Sequence, residues 1–66
     1  MTCDLTLWNA ATKTRKVVVC DESTADKIVQ DDHAAKGTAQ YADASGATFD
    51  VDWTSWRLIR FNRRHD

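Results

Sequence analysis

The sequence predicts an α+β fold in which a small antiparallel sheet packs on one α-helix. Three observations favour it: apolar residues alternate with polar ones near both ends of the chain, one helix-type segment lies between them, and glycine occurs only at Gly37 and Gly46. A chain of 66 residues has room for one domain, residues 1–66, with a single thin core. The expected order is ββαββ with a possible fifth strand.

The first predicted element is a β-hairpin over residues 3–20. Cys3, Leu5 and Leu7 alternate with polar residues in "CDLTLWN", and the β-branched "RKVVVCD" is typical of a second strand. The connecting "AATKT" contains no glycine, which favours a loop of more than two residues.

The register of this hairpin decides where the two cysteines point. We expect the register that gathers the apolar side chains on one face: Leu5 opposite Val19 and Leu7 opposite Val17. Cys3 then shares the buried face and Cys20 points to the other, so we expect free thiols, as in a reducing compartment such as the cytoplasm. A register shifted by one residue would set Cys3 opposite Cys20 and permit a disulfide, which is the alternative.

The second predicted element is a helix over residues 23–36. Ser23 followed by Asp26 approximates a capping box, and Lys36 followed by Gly37 suits a helix end. The predicted buried stripe is narrow and can cover only one face of a sheet: Ala25, Ile28, Val29 and either Ala34 or Ala35.

A second hairpin and a terminal strand are predicted over residues 38–61, followed by a basic tail at 62–66. "ASG" forms the turn, and Phe49, Val51 and Trp53 alternate with polar residues. Trp53 therefore belongs to the core. "TSW" interrupts the strand, and "RLIRF" resumes it with Leu58 or Ile59 and Phe61 inward, or forms a short helix instead.

The conformation of this last segment decides how its arginines are arranged. In a strand, Arg57 and Arg60 point to opposite faces, whereas in a helix they join Arg64 in one basic stripe beside Trp56. The simpler interpretation is a solvated edge strand whose arginines pair with Asp50, Asp52 or the acids of the helix, and whose charge discourages pairing with other sheets.

One narrow helix leaves the other face of the sheet uncovered. Trp8 follows Leu7 and points away from it, so it should lie on that uncovered face, with Tyr41 or Val18 as further candidates. Aromatic and arginine residues together are typical of an interaction surface.

Charge is unevenly distributed along the chain although the net charge is −1. Residues 21–52 hold eight acidic residues against two lysines, whereas residues 53–66 hold four arginines against one aspartate. No apolar run approaches the length of a membrane span. We therefore expect a cytoplasmic protein. The small core and the opposed charge blocks favour a homodimer.

Catalytic and metal-binding chemistry find little support in the sequence. The segment "DDH", residues 31–33, could suggest a metal site, with His65 and Asp66 as further candidate ligands. Adjacent helix residues point about 100° apart, however, so the side chains of residues 31–33 do not converge on one ion. Asp50 and Asp52 share a strand face, but no cleft, phosphate loop or nucleophile motif accompanies them. We therefore expect a non-enzymatic protein with no catalytic residue, metal or cofactor.

The layout "DLTLWNAATKTRKVVV", "STADKIVQDDHAAK" and "ATFDVDWTSWRLIRF" resembles the small accessory proteins that phages and mobile elements encode, anti-CRISPR and related anti-defence proteins among them. The resemblance covers most of the chain and rests on size, layout and charge asymmetry. It implies stoichiometric binding of a host protein, often by a homodimer.

The leading hypothesis is a binding protein that uses an acidic face and an aromatic–arginine edge on a protein partner, possible contacts being Asp26, Asp31, Asp32, Asp50, Asp52, Trp8 and Trp56. The acidic face would imitate nucleic-acid charge toward a basic groove. The first alternative is nucleic-acid binding by the terminal segment, through Trp56, Arg57, Arg60, Arg63 and Arg64. The second is a nucleotide or small-molecule binder at a homo-oligomer interface.

Overall fold

The elements follow the order ββαβββ along residues 1–64, the part of the chain that the computed structural model describes. Their bounds are β1 Thr2–Asn9, β2 Thr14–Asp21, α1 Glu22–Ala34, β3 Thr38–Ala42, β4 Thr48–Asp52 and β5 Trp56–Arg63. The predicted α+β class is confirmed, and the terminal segment is a strand rather than a helix.

The strands form two antiparallel sheets. β1 lies at the centre of a three-stranded sheet of order β2-β1-β5, while β3 and β4 form a separate two-stranded sheet. The helix α1 packs against one face of the three-stranded sheet. No helix in residues 1–64 has the length and apolar character needed to cross a membrane.

One core joins both sheets and the helix. Leu5 and Leu7 from β1, Ile28 from α1, Val51 from β4 and Trp53 are almost completely buried. Burial of side chains of this size stabilises a fold by about 1.5–3 kcal/mol each. Cys3, Val18, Cys20, Ala25 and Tyr41 complete the core. The prediction that Trp53 is buried is confirmed; the suggestion that Tyr41 or Val18 lies on an uncovered face is wrong.

The register of the first hairpin differs from the expected one. Leu5 lies opposite Val18, Leu7 opposite Lys16, and Cys3 opposite Cys20. The core face tolerates Lys16 because its ammonium nitrogen lies 5.0 Å from the centre of the Phe49 ring, at the rim of the core. The expected pairings were therefore wrong by one residue.

Both cysteines consequently point into the core. Cys3 and Cys20 are buried opposite one another, and both are free thiols. The predicted free thiols are confirmed, but the reason given for them, that Cys20 points away from Cys3, is wrong.

The helix is shorter and more exposed than predicted. Its N-cap is Asp21, whose side chain makes no capping hydrogen bond, and it ends at Ala35 in the left-handed conformation with φ 55°. The Ala35 N–H donates to the Asp31 carbonyl oxygen over 3.0 Å, which closes the last turn before Gly37. Only Ala25 and Ile28 are buried on it, whereas Val29 is 41% exposed.

Short aspartate and asparagine side chains organise the turns. Asn9 Oδ1 accepts hydrogen bonds from the Ala11 and Thr12 N–H groups, over 3.0 and 3.2 Å. In the β3–β4 turn, Gly46 adopts φ 90° and Asp43 accepts from the Ser45 hydroxyl, which contributes most to lowering the pKa of that carboxyl. The predicted "ASG" turn is confirmed.

Candidate interaction surface

The face of the three-stranded sheet that points away from α1 is uncovered, and we call it the open face. β1 alternates along its length between buried residues and half-buried ones, and the half-buried residues define this side. The residues paired with them on β2 and β5 belong to the same side. The open face comprises Thr2, Asp4, Thr6, Trp8, Arg15, Val17, Val19, Asp21, Arg57, Ile59, Arg60 and Asn62.

The centre of the open face is apolar. Val17 and Ile59 are 62% and 57% exposed, the two largest exposures of a large apolar side chain on any strand in residues 2–64. Thr6 lies between their strands, opposite both Val17 and Arg60. A shallow depression of about 330 Å³ opens here, lined by these four residues and Arg15. The depression is thus lined by two aliphatic side chains, two arginines and the polar Thr6.

Trp8 lies beside this depression in a row of cationic neighbours. It is opposite Arg15 on β2 and opposite Arg57 on β5. Trp8 is half-buried whereas Leu7 is buried, which confirms the prediction that Trp8 lies on the side away from Leu7. The Arg57 Nε also lies 3.6 Å from Asp32 Oδ1, so this arginine reaches toward the outer edge of β5.

A β-bulge in β5 brings the two arginines to one side of the sheet. Arg60 is opposite Thr6 and Leu58 is opposite Leu7, which leaves Ile59 as the extra residue. Since Thr6 and Trp8 are two residues apart on β1, Arg60 and Arg57 point to the same face. The expectation that a strand would separate them is therefore wrong.

The remaining terminal arginines form ion pairs on opposite sides of the sheet, Arg63 on the helix side and Arg64 on the open face. Arg63 NH2 lies 3.6 Å from Glu22 Oε1 on the helix side, and Arg64 Nε lies 2.9 Å from Asp4 Oδ2. Trp56 is half-buried and packs against the core. The structure therefore does not gather the five residues proposed for nucleic-acid binding on one surface.

The acidic residues proposed for a partner divide into two groups. Asp31 accepts a hydrogen bond from the Tyr41 hydroxyl, and Asp32 Oδ1 accepts one from the Leu58 N–H over 2.9 Å. Asp52 Oδ1 accepts from the Thr54 N–H and hydroxyl, and the hydroxyl bond is the main reason that the pKa of Asp52 is lowered. Asp31 and Asp32 thus connect separate elements of the fold, whereas the bonds of Asp52 are local to its turn. Asp26, Asp50 and Asp52 are exposed.

A second concave feature, which we call the edge cleft, lies where β2 meets the β3–β4 turn. It has a volume of about 390 Å³ and is lined by residues 16–19, residues 43–45 and Phe49. The Ala44 N–H donates to the Val19 carbonyl oxygen over 2.8 Å at this point. The turn thereby covers one end of the outer edge of β2.

The Cys20 thiol is a poor nucleophile. Burial, followed by the neighbouring Cys3, raises the pKa of Cys20 from 9.0 to about 11. Within residues 1–64 no three histidine, cysteine, aspartate or glutamate side chains are grouped to hold a metal ion. His65 and Asp66 lie outside the described residues.

No family model matches the chain, and comparisons with curated proteins and with solved structures each found no match. The likeness to phage accessory proteins stays a prediction from size and layout.

Sequence reasoning missed Arg15, Val17 and Ile59 as surface residues. The position of Arg15 and Val17 depends on the hairpin register, and that of Ile59 depends on the bulge. One signal was readable: the pattern left either Leu58 or Ile59 inward together with Phe61, and the choice of Leu58, three residues from Phe61, requires a bulge.

Proposed function

We propose that this protein is a non-enzymatic binding protein that docks the open face of its three-stranded sheet on an acidic protein partner. The observation that carries the proposal is the pair of exposed aliphatic side chains, Val17 and Ile59, flanked by Arg15 and Arg60 around one depression. Aliphatic and aromatic groups ringed by arginine are typical of the energetic centres of protein interfaces.

The positive charge of the open face favours an acidic partner. Arg15 and Arg60 form no ion pair within residues 1–64, and Arg57 is mostly exposed beside Asp32. The acids on this face are Asp4, which is paired with Arg64, and Asp21, which lies at the far end of β2 opposite Thr2. A partner surface with carboxylates around an apolar centre would complement this arrangement, and the opposed charges would accelerate association.

This proposal replaces the leading hypothesis, in which an acidic face meets a basic groove, with a basic face that meets an acidic partner. Asp31 and Asp32 are engaged within the fold, so the acidic side is reduced to the exposed Asp26, Asp50 and Asp52. Blocking the partner's acidic surface would give the protein the inhibitory role that its resemblance implies. The free thiols of Cys3 and Cys20 support action in a reducing compartment such as the cytoplasm.

Nucleic-acid binding is the second candidate, favoured by the row Arg15–Trp8–Arg57. A base could stack on Trp8 while the arginines contact phosphates. The exposed Val17 and Ile59 argue for the protein partner, because aliphatic side chains gain little from a phosphate backbone. Binding that falls steeply with salt would identify the nucleic-acid case.

The test compares two matched substitutions of exposed aliphatic residues on opposite sides of the molecule. Ile59→Asp places a negative charge in the open face, and Val29→Asp places one on the outer side of α1. Each protein is immobilised and used to capture partners from a nuclease-treated lysate, and the bound proteins are identified and quantified by mass spectrometry.

We expect wild type and Val29→Asp to retain a stoichiometric acidic protein that Ile59→Asp loses. Retention of that protein by Ile59→Asp would overturn the role of the open face. Recovery of nucleic acid alone, abolished by nuclease, would overturn the protein partner. Sedimentation of the purified protein tests the expected homodimer, which a monomer at working concentration would contradict.

A further inference from the structure

The direction of the backbone groups of β2 can be derived from three hydrogen bonds. In a strand, the N–H and C=O of alternate residues point to opposite sides. The Thr2 carbonyl oxygen accepts from the Arg64 N–H on the β5 side of β1, and the Met1 carbonyl oxygen accepts from the Glu22 N–H on the β2 side. The odd-numbered residues of β1 therefore pair with β2, among them Cys3 with Cys20.

The same alternation leaves part of β2 with unpaired backbone groups. Val19 uses its carbonyl oxygen on the side away from β1, for the bond from Ala44. Arg15 and Val17, at two-residue intervals from Val19, direct their N–H and C=O groups to the same outer side. No strand within residues 1–64 pairs with this edge. The outer edge of β2 from Thr14 to Val17 therefore has unpaired backbone groups that can bind another strand.

The free edge leads directly into the edge cleft. The β3–β4 turn covers β2 only at Val19, and the cleft begins at Lys16, whose ammonium group lies over the Phe49 ring. A strand paired with Arg15 and Val17 would place its next residue against Phe49 and the turn. The cleft thus offers an apolar contact at the end of a short backbone ladder.

Charge indicates which strand would bind there. Lys13, Arg15 and Lys16 are exposed and form no ion pair within residues 1–64. Asp43, the acid that lines the cleft, is occupied by hydrogen bonds from Ser45 and Ala47. A second copy of β2 would bring like charges together, whereas a strand that carries carboxylates would pair with them.

We propose that the outer edge of β2, from Thr14 to Val17, together with the edge cleft, binds an extended acidic peptide segment by strand addition. This inference rests on the proposed function, because it names how the acidic partner of the open face is held. Main-chain hydrogen bonds to Arg15 and Val17 supply affinity, and the cationic side chains supply selectivity. Arg15 and Val17 belong to both surfaces, so a bound strand would extend the open face by one strand.

The experiment measures binding of a fluorescein-labelled, capped octapeptide of alternating glutamate and valine to the purified full chain by fluorescence anisotropy. The lysine–valine octapeptide is the control for charge. The decisive variant is Val17→Pro, which removes the outward N–H; that N–H takes no part in pairing with β1, and proline is tolerated on edge strands in this position. Val17→Thr, which keeps the N–H and a side chain of similar shape, is its matched control.

We expect Val17→Pro to weaken binding of the acidic octapeptide by about five- to tenfold, as for a lost main-chain hydrogen bond, and Val17→Thr to change it less than about threefold. The lysine–valine peptide should not bind. Equal affinity of Val17→Pro and wild type overturns strand addition, as does failure of wild type to bind the acidic peptide.

A measurement on the wild-type protein does not depend on how the proline variant folds. Bound peptide should slow amide hydrogen exchange at Arg15 and Val17, whose N–H groups point outward, and leave Val18, already paired with β1, unchanged. Unchanged exchange at Arg15 and Val17 under saturating peptide overturns the proposal. If Ile59→Asp loses the captured partner while Val17→Pro retains it, the proposed function stands and strand addition fails.

Discussion

Tyr41 links the two-stranded sheet to the helix through its hydroxyl. The hydroxyl accepts a hydrogen bond from Trp53 Nε1–H over 2.8 Å and donates one to the Asp31 carboxylate. Burial, followed by the bond to Asp31, raises the pKa of Tyr41 well above its ordinary value. Asp31 therefore acts as an internal acceptor, and substituting it would disturb the core as well as the surface.

Replacing Tyr41 with phenylalanine should destabilise the protein by about 1–3 kcal/mol, because the buried Trp53 N–H would lose its acceptor. The free energy of unfolding, measured in urea, tests this. Gln40→Ala, at an exposed position of the same strand, is the control and should have little effect. A loss below about 0.5 kcal/mol for Tyr41→Phe would show that water replaces the hydroxyl.

The raised pKa of Cys20 predicts how stability depends on pH. The folded state holds the thiol proton up to a pKa of about 11, whereas the unfolded thiol loses it near 9.0. The contribution is therefore complete below pH 9 and is lost as the pH rises to about 11, amounting to at most about 3 kcal/mol. Urea unfolding at several pH values in this window measures it.

Cys20→Ala is the matched variant for this prediction, because every other ionisable group is common to both proteins. Its stability should fall less steeply between pH 9 and 11 than that of the wild type. Parallel curves would mean that the Cys20 thiol ionises equally readily in the folded and unfolded states.

At the scale of elements, Asp32 connects α1 to β5. Its Oδ1 accepts the Leu58 N–H, which points to the outer edge of β5 next to the bulge. The nearby Arg57 is mostly exposed, so their ion pair contributes little. The carboxylate thus satisfies a backbone group that the sheet leaves unpaired, and the helix protects this edge of the sheet.

Asp32→Ala should therefore cost about 1–2 kcal/mol in unfolding free energy and accelerate amide exchange at Leu58. Asp26→Ala, the removal of an exposed carboxylate from the same helix, should change neither quantity appreciably. Slow exchange at Leu58 in Asp32→Ala would contradict the assigned hydrogen bond.

For the whole molecule, features that depend on one segment were predictable and features that depend on pairing were not. The class of the fold, the burial of Trp53 and the outward direction of Trp8 follow from alternation within a single strand. The division into two sheets and the register of β1 with β2 depend on contacts between distant segments, which period-two patterns leave open.

The candidate site was predictable to the same extent. The position of Trp8 was predicted correctly, and Arg57 and Arg60 were recognised as candidates. That both arginines lie on one face depends on the bulge, which was not predicted. Sequence does not reveal which carboxylates accept hydrogen bonds from internal donors, as Asp31 and Asp32 do.

The bulge also governs where β5 tolerates a change in length. Deletion of Ile59, the unpaired residue, would leave a regular strand in which Leu58 and Phe61 still face the core and Arg57 and Arg60 still face outward. Deletion in β5 outside residues 58–60 would exchange the two faces on one side of the gap. Deletion of Ile59 is thus the length variant that would remove this exposed aliphatic side chain from the open face and leave Arg57 and Arg60 in place.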